Sequence, residues 1–386
     1  MISCPICSSK RVKKSGMIDK MVMTKTGKRT RHIQNFRCES GHFFKGPGQP
    51  NWDDSFIELV VYFYLRCLSL NTTLDLIRSV YEEELLNKAH ILEFIEWVAD
   101  GLPSLNDIDR LFVPHRSGYL AFDGTWFKYG KENVVLLVCF DPISFDVVSA
   151  VWEKEETSAG YGRLINQVIP KLPKDQVKGI YGDGDNGLIL SLKTHFPKVP
   201  FQLCVVHKNF RMSQTVPVHS AKRSKRFSEE VKTEILEYAK LFAAALYADS
   251  KETAAHALGD LLIWTQNHPR EKFIKAVAQL KHNFAYTLTH FDYPGMQRDN
   301  NLLECFNGCL KPRLKLMRGF KKQDNLDRYL KLFLLEFRFR PLRESRFDFR
   351  RNLSPLELGG VYLPKYYNFL NFLRLHLNLS YQPSRT

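Results

Sequence analysis

The sequence predicts an α/β protein: a mixed sheet that carries an all-helical insertion, preceded by a small cysteine-bearing ribbon and a set of short helices. Three observations carry this expectation. From residue 118 the apolar pattern leaves helical spacing and turns into strand-type runs. Residues 211–295 then return to helical spacing and composition, as in EEVKTEILEYAKLFAAALYADSKETAAHALGDLLIWTQNH. At the other end, Cys4 and Cys7 open a basic segment that closes with Cys38 and His42.

The chain as a whole sets limits on function. Its 386 residues can bury a large core, with 44% hydrophobic and 25% charged residues, a globular balance. A net charge of +15 points to a polyanionic partner, and nucleic acid is the expected one. No apolar run is long enough to suggest a membrane span, and MISCPICSSK has no apolar leader core. The eight cysteines are scattered, several within apolar runs, which fits a reducing compartment and not a disulfide framework.

Residues 1–50 read as a zinc ribbon. A CxxC knuckle at Cys4 and Cys7 brings two thiolates to one ion, and Cys38 with His42 can complete a tetrahedron. His32 is a rival fourth ligand. Between the knuckles, two strands are expected about a KTGKR turn. Lysines and arginines crowd this segment, so it is expected to contact phosphates. After the linker GPGQP at 46–50, residues 51–115 predict short helices. The first carries Phe56, Leu59, Val60 and Phe63, the second starts at Asn71 or Thr72, and the third is ILEFIEWVADGL. Their succession suggests a helix-turn-helix-like DNA-binding domain, although the third helix is acidic.

Residues 116–210 give the order β-β-β-α-β-α-β. GYLAFDGTW, ENVVLLVCFDP and FDVVSAVW form the opening meander; a helix at about 158–169 crosses over to VKGIYGD; a helix from Gly187 leads to VPFQLCVVH. A right-handed crossover sets the fourth strand parallel to the first; if the two are neighbours, Asp123 and Asp183 sit side by side at carboxyl ends. Two carboxylates meeting there repel unless a cation lies between them, and magnesium suits hard oxygen donors. Asp185 competes with Asp183 as the cap of the following helix. A third carboxylate lies in DNNLLECFNGCLKPRLKLMRGF. As a helix, this segment gathers Asn301, Glu304, Asn307 and Lys311 on one face, turns Leu303, Phe306 and Leu310 inward, and is kinked or ended by Pro312.

These pieces together resemble the insertion-sequence transposases of the Mutator-like superfamily. The matching segments are FDGTW at Asp123, YGDGDNGL at Asp183, LCVVHKNF at Cys204 and His207, and NLLECFNGCLKPR at Glu304, with SPLELGGV at 354–361 beyond them. The resemblance implies a ribonuclease H-like core at 116–210 and 296–345, a helical insertion at 211–295 and a tail at 346–386. It further implies a DDE triad of Asp123, Asp183 and Glu304 binding two Mg2+ or Mn2+ ions, and cleavage and transfer of DNA strands at paired ends, hence at least a dimer on DNA. Such a protein acts in the nucleoid or the nucleus. Cys204 and His207 match the family's C-x2-H pair; alone they cannot complete a zinc site, though His282 or His290 could add donors. Cys204, His207, Asn301, Asn307, Lys311 and Arg313 are expected to support the site or touch DNA. A cationic stripe, Arg313, Lys315, Arg318, Lys321 and Lys322, continued by Arg338, Arg340, Arg343, Arg346, Arg350 and Arg351, is expected to meet phosphates. The rivals are a catalytically silent, domesticated DNA-binding regulator and a ribonuclease H-like nuclease without end specificity.

Overall fold

The computed structural model describes residues 2–45, 51–66, 69–224, 226–293, 295–316, 322–365 and 367–376. The linker at 46–50, Cys67, Arg318 and Lys321 lie outside the described residues. Along the chain come β1 (Val12–Thr24), β2 (Gly27–Cys38), β3 (Phe43–Lys45), then α1 (Asp54–Leu65), α2 (Leu70–Tyr81), α3 (Lys88–Gly101) and α4 (Leu105–Phe112). The central part holds β4 (Tyr119–Tyr129), β5 (Glu132–Asp141), β6 (Asp146–Glu153), α5 (Ser158–Val168), β7 (Gly179–Gly182), α6 (Asn186–His195) and β8 (Phe201–Leu203). Among the described residues helices then follow: α7 (Val205–Thr215), α8 (Val218–Arg223), α9 (Glu229–Leu246), α10 (Lys251–Asn267), α11 (Glu271–Lys281), α12 (Asn301–Leu316), α13 (Gln323–Arg338), α14 (Pro355–Leu358) and α15 (Phe369–His376).

The chain divides into two units. One takes Met1–Pro114, Lys128–Gly130 and Pro312–Thr386; the other takes His115–Phe127 and Lys131–Lys311. The expected core boundary at 345 therefore moves to Pro312, inside α12. The reason lies in α13, whose buried Leu326, Leu330, Phe333 and Phe337 belong to the same unit as the N-terminal helices.

In the first unit, β1 and β2 form the expected hairpin about Lys25 and Thr26, with Thr24 opposite Gly27, and β3 pairs with β2. Cys4, Phe36, Cys38 and Phe44 make a small buried core under it. Helix α1 starts where the Asp53 side chain accepts the Phe56 N–H. It buries Phe56, Ile57, Val60 and Val61, while Leu59 and Phe63, expected in the apolar stripe, are half-buried. Helix α3 does not present its acidic face. Arg328 of α13 pairs with Glu96 at 3.3 Å and Asp100 at 2.8 Å, and Lys331 donates to the Ala99 and Leu102 carbonyls at 2.7 and 2.5 Å. The cations thus satisfy the carbonyl end of α3. Two acidic side chains of the third helix, Glu96 and Asp100, are thus engaged within its own unit.

The cationic stripe also splits. Arg338 is fully buried and donates to Asp109 at 2.7 Å. Arg350 lies over the Phe347 and Phe349 rings, and Arg313 over Phe333 at 4.9 Å, both buried. Arg340 shares the buried Glu336 with Arg66. These arginines stabilise the interior, so Arg313 is not a phosphate contact. Lys315, Lys322, Arg343, Arg346 and Arg351 remain exposed.

The second unit is built on a five-stranded sheet in the order β6-β5-β4-β7-β8. Strands β5 and β6 are antiparallel; β4 and β7, and β7 and β8, are parallel. Tyr119, Leu120 and Ala121 stand opposite Gly179, Ile180 and Tyr181, so the two strands are parallel, as the crossover rule required, and also neighbours, the condition for bringing the two aspartates together. One face packs Leu120, Phe122, Leu137 and Ile180 against Tyr161, Leu164 and Ile165 of α5 and Leu188 of α6. The helical insertion has its own core, with Phe242 of α9, Leu261 of α10 and Phe273 of α11 fully buried. One local expectation fails: VPFQLCVVH is a strand only through Leu203. Cys204 is the N-cap of α7, so Val205–His207 form its first turn.

The chain returns to the sheet through Gln202. Its buried side-chain amide donates to the carbonyls of Leu203 and Thr287 at 2.9 Å, and its oxygen accepts the His290 N–H at 2.8 Å. Val205 N–H donates to the Arg298 carbonyl and the Asn300 amide to the Phe122 carbonyl, both at 3.2 Å. These bonds set where α12 begins.

Candidate active site and metal clusters

Asp123 occupies β4 beside β7, and Asp183 follows β7 directly. The loop after Asp183 turns sharply at Gly184, whose φ of +81° and absent side chain are both required, since a Cβ there would lie 2.4 Å from Leu203. The two competing aspartates divide their roles. Asp185 caps α6, accepting the N–H groups of Gly187 at 2.7 Å and Leu188 at 3.2 Å. Asp183 accepts the Asp185 N–H with one oxygen and Arg211 of α7 with the other, at 3.0 and 3.1 Å.

Helix α12 brings Glu304 to the same place. Leu303, Phe306 and Leu310 face inward as its spacing predicted, with Phe306 5.7 Å from Phe140 of β5. Asn307, buried, donates to Asp123 at 2.7 Å. Helix α7 supplies His207, whose Nε2 lies 3.2 Å from Glu304. Donor atoms of Asp123, His207 and Glu304 all lie within 4.8 Å of one another. Asp183 stands just outside this cluster, turned to Arg211, and still acts on Asp123 electrostatically.

Burial first, then the charges of Glu304 and Asp183, push the Asp123 carboxyl up to about 8, against the opposing influence of His207. Burial disfavours a charge on His207, yet its interactions with Cys204, Glu304 and Asp123 outweigh this and push it up to about 11. Glu304 is held below the usual carboxylate range by His207. Without a cation, the cluster therefore balances an imidazolium and a carboxylate beside a proton on Asp123.

The remaining expected residues are distributed unevenly. Cys204 is buried and accepts the Asn300 N–H through sulfur at 3.3 Å. Asn301 and Lys311 are exposed on α12, Lys311 near enough to lower Glu304. Neither His282 nor His290 joins a metal-capable group among the described residues, so Cys204 and His207 do not build a zinc site with them. Within the site, His207 meets Glu304, while Arg211 meets Asp183.

The N-terminal donors do converge. Cys4, Cys7, Cys38 and His42 place their ligand atoms within 4.8 Å, with Cys7 and Cys38 sulfurs 3.7 Å apart and His42 Nδ1 3.5 Å from Cys38. Backbone N–H groups and His42 bring Cys7 down to about 6, favouring thiolate. His32 is instead paired with Asp19 across the hairpin at 2.5 Å, outside the cluster.

The sequence profile described as "Transposase, Mutator family" matches residues 7–339. The chain belongs to the Mutator family of transposases. The comparison with curated proteins gives no match. Among solved structures, this transposase is similar to the HTLV-2 integrase catalytic core domain in complex with magnesium. In the trimeric form the identity is 18%, the cover is 32% of this chain and 84% of that one, and the TM-score is 0.20. The simian T-cell lymphotropic virus intasome in complex with a PP2A regulatory subunit matches at 12% identity, 50% and 69% cover, and a TM-score of 0.20.

Two residues of the transposase site escaped the sequence. Arg211 lies one helical turn after His207, a relation hidden while His207 reads as the end of a strand and Arg211 as the start of the helical insertion. Asn300, just before α12, reaches back to β4 by its amide, which no local pattern announces.

Proposed function

We propose that this transposase is of the DDE type, with Asp123, Asp183 and Glu304 as its metal-binding carboxylates and DNA as its substrate. The observation that carries the proposal is the approach of Glu304 to Asp123, from a helix about 180 residues further along the chain, within the same cluster of donor atoms. The residues suit a hard divalent cation: the donors are carboxylates, and the one most deeply buried is driven towards protonation by its neighbours, a penalty a cation removes. Two Mg2+ or Mn2+ ions would supply Lewis acidity and an activated oxygen nucleophile at the scissile phosphate.

The chain's own residues do the rest. Asn307 fixes one Asp123 oxygen and so orients the carboxyl within the cluster. His207 and Arg211 hold Glu304 and Asp183 in place and balance their charge before DNA arrives. Water would first hydrolyse the phosphodiester at the element's end, leaving a 3′-hydroxyl and a 5′-phosphate; that 3′-hydroxyl would then attack a target phosphate and displace the target strand's 3′-oxygen as a hydroxyl. Paired ends imply a dimer or larger assembly on DNA. The N-terminal cluster of Cys4, Cys7, Cys38 and His42 suits a structural Zn2+ ion, with soft thiolates and one imidazole, and the basic ribbon around it suits phosphate contacts.

The test is cleavage of a DNA duplex carrying the element's end by Asp123→Asn, Asp183→Asn and Glu304→Gln proteins. Each should lose cleavage by at least a thousandfold while binding the duplex normally. Cleavage at the original rate in any of them sinks the triad, and binding without cleavage in the unaltered protein favours a silent DNA-binding regulator.

A further inference from the structure

Trp126 follows Asp123 by three residues on β4 and keeps 49% of its surface exposed. An indole in that position is not loose. Its Nε1 donates to Glu156 at 2.7 Å, and the other Glu156 oxygen accepts the Tyr161 hydroxyl at 2.8 Å. Tyr161 is fully buried in the sheet's main core, so Glu156 ties a solvent-facing ring to a fixed point. Gly124, between Asp123 and Trp126, leaves room for this carboxylate: a Cβ there would lie 2.7 Å from it. Gly187 leaves room on the other side, where a Cβ would meet the Glu156 carbonyl oxygen at 2.9 Å.

The surroundings decide what such a ring can receive. Asp183 and Asp185 are close enough to Glu156 to act on it electrostatically, and Asp123 lies on the same strand. A backbone phosphate is repelled there. A nucleobase carries no charge, and stacking on an oriented aromatic face suits any base. Holding the ring in advance lowers the entropy lost on stacking.

We propose that Trp126 is a stacking platform for a nucleobase of the DNA strand entering the active site, and that Glu156 is the positioning residue that orients its indole. The proposal rests on the DNA-processing function given above. Only the stacked base is new.

The experiment is photo-cross-linking of the Asp123→Asn protein to a single-stranded oligonucleotide with 5-iodouracil in place of thymine, so no catalysis is needed. The expected cross-linked peptide contains Trp126. Trp126→Ala should lower the yield at least tenfold and Trp126→Phe should keep most of it. Glu156→Ala should fall nearly as far as Trp126→Ala, and Glu156→Gln should recover much of the yield, because its amide oxygen still accepts the indole N–H. A general folding defect would not follow this order of rescue, and if Glu156→Ala does not fold, the Trp126 pair decides. A cross-link mapping elsewhere, or an unchanged yield in Trp126→Ala, overturns the proposal. Cleavage surviving in Asp123→Asn overturns the triad alone, because the cross-link is read without it.

Discussion

Asn307 donates its side-chain amide to Asp123 across 2.7 Å, and both residues are buried. The bond joins α12 to β4, two elements almost 200 positions apart, and it fixes the orientation of the Asp123 carboxyl. Replacing Asn307 with alanine removes a hydrogen bond to a charged group, worth about 1.5–3 kcal/mol. The expected outcome is a loss of roughly 10–100-fold in single-turnover cleavage, with DNA binding unchanged. An unaltered rate in Asn307→Ala would mean that Asp123 needs no such anchor.

The raised Asp123 carboxyl predicts a pH dependence with a definite sign. Its value in the folded chain is about 8 against an ordinary 3.8. Without metal, the stability that this group contributes is complete below 3.8 and is lost as pH rises through about 8. A divalent ion competes with the proton, so its affinity rises with pH over the same window. Thermal melting with and without Mn2+ should show a stabilisation that grows from pH 5 to pH 9, and Asp123→Asn should flatten it. A metal effect equal at both ends of that range would contradict the coupling.

Loss of zinc should act on the ribbon alone. The core at the cysteine end of the hairpin holds only four buried residues, Cys4, Phe36, Cys38 and Phe44, with Ile2 and Val12 packed against it, while Val22, Met23 and Ile33 are buried elsewhere in the hairpin. A chelator, or Cys38→Ser, should release about one zinc per chain and expose residues 2–45 to rapid hydrogen exchange. The amides of β4 and β7 should keep their protection. Protection of Val12–Thr24 in metal-stripped protein would show that the ribbon folds on its own contacts.

The Arg338–Asp109 pair is the most deeply buried ion pair of the first unit among the described residues, at 0% and 10% side-chain exposure. Asp109→Ala removes the carboxylate beside a buried guanidinium, a change that costs about 3–5 kcal/mol. Urea unfolding should reveal it as a large drop in midpoint. A drop of under about 1 kcal/mol would place the pair among surface ion pairs.

Much of the second unit was legible because its signals are local. Runs such as ENVVLLVCFD announce strands, and the crossover rule then makes β7 parallel to β4; their adjacency, which brings Asp123 and Asp183 together, came only with the fold. Glu304 was legible from helical spacing on α12, where Leu303, Phe306 and Leu310 mark the buried side. The failures share one cause: tertiary context overrode local composition. VVH reads as strand, yet Cys204 caps a helix there, and that helix carries both His207 and Arg211 to the carboxylates. In the same way, Arg313, Arg338 and Arg350 look like a phosphate-binding row until their aromatic and acidic partners are known. A linear charge pattern does not distinguish an arginine over a buried ring from one facing solvent.

The return of the chain through Gln202 and Asn300 also has a consequence for synthesis. Asp123 and Asp183 leave the ribosome early, but Glu304 follows Asp183 by about 120 residues, a delay of roughly 6–24 s at about 5–20 residues per second. During that interval the nascent chain already holds the basic hairpin and two of the three carboxylates. A product ending before Asn300 keeps that hairpin and lacks the third carboxylate altogether. Premature termination in the helical insertion would thus turn the gene into a source of its own competitor, a chain equipped to occupy the element's ends and unable to cut them.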